Sequence, residues 1–131
     1  MKATDLMIGD WILLENKPAK VVRLPRFCIP SFGGNVIWIL PHNDGSDVEC
    51  HNISEISYIS LTPEILEKNG WKCSNSYMIK RTADGSFYWV EDLGVVFYKN
   101  SYNMRTCEYV HQLQHALHLC GLNELADNFK V

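Results

Sequence analysis

No unbroken apolar stretch in this chain is longer than Val36–Leu40, and turn-forming residues punctuate the β-prone runs around it. A membrane-spanning helix needs about 20 consecutive apolar residues, and even a buried globular helix needs about 10–12. The building blocks are therefore short strands and short amphipathic helices joined by turns. At 131 residues, with 47% hydrophobic and 21% charged, the chain buries roughly two thirds of its unfolded surface and needs no metal or disulfide staple.

The first half reads as five strands. Ile8–Leu14 is apolar and β-prone, and Asn16-Lys17-Pro18 turns it into Ala19–Leu24. A long connection, Pro25–Asn35, carries Pro25, Pro30, Gly33 and Gly34. Val36–Leu40 is too short for a helix and reads as a central strand with Trp38 in the core. Asn43-Asp44-Gly45-Ser46 is a turn, Val48–His51 alternates with the period of a half-buried strand, and Ile56–Ile59 completes the set. Closing such a small sheet hides its edges, which predicts an SH3-like β-barrel over residues 1–60.

The second half, 61–131, opens with a capped helix. Thr62 is a good N-cap, Pro63 suits the first helical position, and Gly70 supplies the left-handed stop. Tyr77–Lys80 and Phe87–Val90 flank the hairpin signal Ala83-Asp84-Gly85, and Val95–Tyr98 and Met104–Cys107 follow around the turn 99–103. A helix from Glu108 to Cys120, stopped by Gly121, and a helical tail over Leu122–Asn128 end the chain. The expected class is α+β in two small packed units: a small barrel, then a helix, an antiparallel sheet and a covering C-terminal helix packed together as one compact unit over 61–131.

Charge excludes a bulk electrostatic affinity for nucleic acid. Residues 1–60 carry five basic and seven acidic side chains, and residues 61–131 carry seven and eight. One local concentration stands out, Lys17, Lys20, Arg23 and Arg26, with no acid among them. The five cysteines are odd in number and never spaced C-x-x-C, as expected of reduced thiols packed as small apolar groups. Asp5 and Asp10 interrupt the N-terminal segment, so no signal peptide is expected, and the predicted location is the cytoplasm.

Four constellations bear on chemistry. His111, His115 and His118 follow the spacing i, i+4, i+7, which brings three imidazoles to one helix face and makes them weak candidates for a metal site. At about 100° per residue from Val110 they point near 80–140°, opposite the apolar arc of Val110, Leu113, Ala116 and Leu117, so they are expected in solvent. Cys107 and His111 fall one turn apart, but nothing in the sequence orients them as a nucleophile and base, and no phosphate-cradling loop or G-x-S-x-G elbow occurs. Glu91 and Asp92, adjacent at a strand end, project to different sides and read as a solvated turn. No catalytic residue and no cofactor are expected. The fourth constellation is the loop: Phe27 and Phe32, either anchors into the core or contacts for a ligand, sit beside Arg23 and Arg26, the combination that small barrels use to hold peptides or single-stranded nucleic acid.

The stretches Ile8-Gly9-Asp10-Trp11, Leu61-Thr62-Pro63-Glu64-Ile65-Leu66 with Gly70-Trp71, and Tyr109-Val110-His111-Gln112-Leu113-Gln114 together resemble a family of short uncharacterised bacterial and phage-associated proteins. The resemblance implies a bacterial or mobile-element context and no particular activity. Only His111 lies within the terminal motif, which weakens a three-histidine site and makes His111 and Gln112 candidates for fixing the helix or meeting a partner. The resulting expectation is a non-catalytic adaptor that binds another macromolecule, a protein, through Arg23, Arg26, Phe27, Phe32, His111 and Gln112. Binding of nucleic acid by the barrel and a metal-dependent enzyme on the helix histidines are the alternatives, and no membrane contact is expected.

Overall fold

The computed structural model describes residues 6–24, 36–40, 47–74, 77–82, 85–91, 94–98 and 103–131. It divides into two units, residues 1–59 and 60–131. The class is α+β, and no helix among the described residues is long and apolar enough to cross a membrane.

The first unit is a curled, half-barrel antiparallel sheet of five strands: β1 (Trp11–Leu14), β2 (Lys17–Arg23), β3 (Val36–Leu40), β4 (Glu49–Asn52) and β5 (Ile56–Ser57). Their order across the sheet is β4-β3-β2-β1-β5. The first turn lies earlier than its sequence suggests. Glu15 and Asn16 both have positive φ, 51° and 63°, and Leu14 pairs with Lys17, which makes a two-residue hairpin loop with the twist that antiparallel strands prefer. Pro18 is thus inside β2 rather than in the turn. It sits opposite Leu13 in a non-hydrogen-bonded pair, and β3 begins pairing only at Lys20, so no ladder bond misses its N–H.

Alternation then sorts the side chains. Ile12 and Leu14, Ala19 and Val21, and Ile37 and Ile39 fill the inner face together with Leu6, Ile53 and Ile56. Trp38 has the opposite parity and lies on the outer face, half-buried, which corrects its expected place in the core. A register shift between Val21 and Arg23 bends β2, as a bulge does. The opening residues Ile8-Gly9-Asp10 form a turn instead of strand. Asp10, 2% exposed, accepts the Met7 N–H at 2.7 Å through its carboxylate, and its own backbone carbonyl accepts Val21 N–H at 3.0 Å.

The second unit opens with α1 (Pro63–Lys68), capped as expected by Thr62, whose hydroxyl accepts the Ile65 N–H. Its end is a Schellman motif. Gly70, at φ 83°, donates to Glu67 O at 3.1 Å, and Trp71 donates to Leu66 O at 3.0 Å, with both hydrophobic partners buried. Five antiparallel strands follow in simple meander order: β6 (Lys72–Ser74), β7 (Tyr77–Thr82), β8 (Gly85–Val90), β9 (Val95–Tyr98) and β10 (Asn103–Thr106). The polar edge strand β6 has no apolar alternation to announce it; pairing with β7 creates it. Met78, Phe87 and Trp89 are buried, and the Trp89 indole donates to Cys107 O at 2.9 Å.

The helix α2 runs over Val110–Leu119, two residues shorter at its start than expected. Ser60 bridges to Tyr109 and Leu61 N–H donates to Glu108 O, so tertiary pairing holds those positions in extended backbone. Gly121, at φ 76°, ends α2 with a second Schellman motif through Leu122 N–H and Leu117 O. The chain then turns back into α3 (Asn123–Asp127).

Candidate functional site

The sequence-nominated residues fall in three places. Arg26, Phe27 and Phe32, with Gly33 and Gly34 and the turn at 43–46, lie outside the described residues. Arg23 ends β2, exposed, on the outer face of the first sheet. His111 and Gln112 begin α2 in the other unit.

The outer face has a definite geometry. Arg23 pairs across the bulge with Trp38, and its guanidinium carbon lies 5.8 Å from the indole centroid. One step along β2, Lys20 pairs with Trp11 on β1 and with Leu40 on β3, and its ammonium stands 4.9 Å from the Trp11 ring. Each such cation–aromatic contact contributes about 0.5–1 kcal/mol in partly exposed surroundings. Lys17 has the other parity, so the basic concentration divides and only Lys20 and Arg23 share this surface. The strand-end geometry adds a topological fact. The chain leaves β2 just after Arg23 and re-enters β3 at Val36, two residues before Trp38, so the connection bearing Arg26, Phe27 and Phe32 is anchored at both ends beside this pair.

The histidines do not stand in solvent as a group, and this corrects the sequence expectation. His111 is 3% exposed, stacked at 6.0 Å on Tyr109 and edge-on at 5.5 Å to His115. His118 places Nδ1 at 2.9 Å from Asn123 Oδ1 and Nε2 at 3.2 Å from Asp127 Oδ1. Gln114, at the same side of the helix, is buried and donates to Ala126 O at 3.1 Å. For Gln114 and His118 the physical reason is α3, which returns across α2 and covers the arc near 40–80°, whereas His111 packs on the Tyr109 and His115 rings. The solvent face is narrower and lies near 180°, where Leu119 is 69% exposed. Among the described residues, no three His, Cys, Asp or Glu side chains are grouped so as to hold a metal ion.

Gln112 has a local task. Its Oε1 accepts from Glu108 N–H at 2.8 Å and Tyr109 N–H at 3.1 Å, which satisfies donors that precede the helix. Lys20 belongs to the basic concentration already singled out, and Trp11 and Trp38 are the outer-face residues that sequence reasoning did not nominate. The signal was present in the alternation of Val36-Ile37-Trp38-Ile39-Leu40, where the two isoleucines claim one face and leave Trp38 on the other. Comparison with known proteins finds no matching protein family, no matching curated protein and no matching solved structure.

Proposed function

We propose that the chain is a non-catalytic accessory module that binds another protein on the outer face of its half-barrel. The observation that carries this reading is the Arg23–Trp38 pair: an exposed guanidinium 5.8 Å from the centroid of a half-buried indole, at the point where the long connection is anchored. A guanidinium beside an aromatic ring can still donate to a carboxylate, while the indole offers flat apolar area, so the suited partner is an extended segment carrying acidic side chains. An SH3-like barrel belongs to the same reading. It is supported by the strand order β4-β3-β2-β1-β5 and by a 3₁₀ turn at Ile53–Glu55 between β4 and β5. A bacterial or mobile-element setting, implied by the sequence resemblance, fits a small accessory protein.

The test is selection from a displayed peptide library followed by titration against the whole chain. Selected peptides should be acidic, and the double substitution Arg23→Glu with Trp38→Ala should weaken them about tenfold or more while the circular dichroism spectrum stays native. Peptides that bind the double variant equally well would sink the reading. Lys20 and Arg23 on one aromatic surface also suit single-stranded nucleic acid, so oligothymidylate is titrated in parallel. Tight oligonucleotide binding with a steep loss on raising salt, and no peptide selected, would replace protein by nucleic acid as the partner.

A further inference from the structure

The second unit contains a cleft of about 180 Å³ that neither the outer face nor the histidines involve. Its floor is apolar: Trp71, placed by the Schellman motif after α1, with Leu117 from α2 and Phe129 from the tail. Three lysines line it, Lys68 from the last turn of α1, Lys80 from β7 and Lys130 from the tail, and no carboxylate side chain among the described residues does. We infer that this cleft is a binding site for a small molecule that carries an oxyanion, carboxylate or phosphate, on a flat apolar group.

Electrostatics decides the sign of the ligand. The C-terminal ends of α1 and α3 both reach the cleft through Asn69 and Asn128, and helix C-termini favour cations. Each such end amounts to at most about half a negative charge, and less for helices this short, against three whole positive charges. None of the three ammonium groups has an ion-pair partner among the described residues. The net field is positive, and a bound anion would supply the missing counter-charge.

Two features make the site a built one. Gly70 is needed for its φ of 83°, and its lack of a side chain leaves room for the flexible end of Lys80, whose Nζ stands 2.8 Å from where a Cβ would lie. The ammonium of Lys80 is therefore drawn in over the end of α1, where any side chain at position 70 would displace it. The tail wall is fixed as well. Asn69 accepts Lys130 N–H at 2.8 Å and donates to Lys130 O at 2.8 Å, which clamps residue 130 against α1. Size sets the rest of the ligand, because a cavity of about 150 Å³ accepts a benzene ring.

The probes are phenyl phosphate, benzoate and the neutral benzyl alcohol, titrated into the isotopically labelled whole chain by NMR. Saturable shifts are expected at the Trp71 indole and the Lys80 amide with at least one of the two anions, and the tighter anion names the headgroup. Lys80→Gln combined with Lys130→Gln should weaken binding about tenfold or more, whereas Lys72→Gln, on exposed β6 outside the cleft, should change it by less than about twofold. Lys130→Gln alone, on the exposed tail, provides the same comparison, with a loss of about threefold or more, should the double variant not fold. The inference is overturned by absence of saturable shifts with both anions up to about 10 mM, by unchanged affinity in the lysine variants, or by benzyl alcohol binding as tightly as benzoate.

Discussion

Single residues carry more of this fold than their exposure suggests. Asp10 fastens the Met7–Asp10 turn ahead of β1, its carboxylate on the Met7 N–H and its carbonyl on Val21. Replacing Asp10 by Ala leaves the turn without its acceptor and should lower the unfolding free energy by about 1–2 kcal/mol, measured by urea denaturation; an unchanged midpoint would show the carboxylate to be dispensable. A second residue cluster responds to pH. Glu49 and Glu55 each place a carboxylate oxygen 3.1 Å from a ring nitrogen of His51. Burial alone pushes His51 down, but the two carboxylates outweigh it, and its pKa stands above the ordinary 6.5. Glu55 is held below its ordinary 4.5 by the Asn52 N–H first and His51 second. Stability from His51 is therefore complete below 6.5 and lost as pH rises through its folded value. Stability from Glu55 is complete above 4.5 and lost as pH falls through its folded value. The cluster contributes most between those two limits. Denaturation at pH ~5.5 and ~8 should show the wild type losing more stability than His51→Gln, and equal losses in both proteins would exclude the cluster as the source. The effect is small, since Glu49 and Glu55 are about half exposed and solvent screens them.

At the scale of elements, local rules account for both ends of α1 and for the end of α2, but not for the start of α2 or the exact turn of the first hairpin. The Thr62 cap and the Gly70 and Gly121 stops were readable because each depends on residues within six positions of one another. The hairpin at Glu15-Asn16 was misplaced by one pair, because Pro18 reads as a turn residue until strand pairing shows its N–H to be unneeded. Glu15 also carries strain, being a non-glycine residue at φ 51°. Glu15→Asn with Asn16→Gly should accordingly stabilise the protein by about 0.5–1.5 kcal/mol, seen as a higher denaturation midpoint with an unchanged slope. A lower midpoint would mean that the loop conformation is not the one described.

For the whole molecule, helix α2 shows where pattern reading stops. A helical wheel assigns one buried face and one wet face, yet Gln114 is buried against α3 and His111 is buried beside Tyr109 and His115, despite polar side chains. Gln114→Ala should cost about 1–3 kcal/mol, because it opens a cavity and removes the side-chain donor to Ala126 O, which keeps only the backbone N–H of Phe129 at 3.3 Å and that of Asn128. Calorimetry checks this, and a loss near zero would mean α3 is held by other contacts. The sequence by itself determined the α+β class, the strand-rich first half and the caps, since these follow from the period of apolar residues and from turn chemistry acting over a few positions. Tertiary structure decided which face of β3 carries Trp38, that β6 pairs at all, that α3 meets α2 at Gln114 and His118, and that Lys68, Lys80 and Lys130 meet around Trp71. Those outcomes depend on which surfaces come together across tens of residues of chain, and no local spacing encodes a partner at that distance.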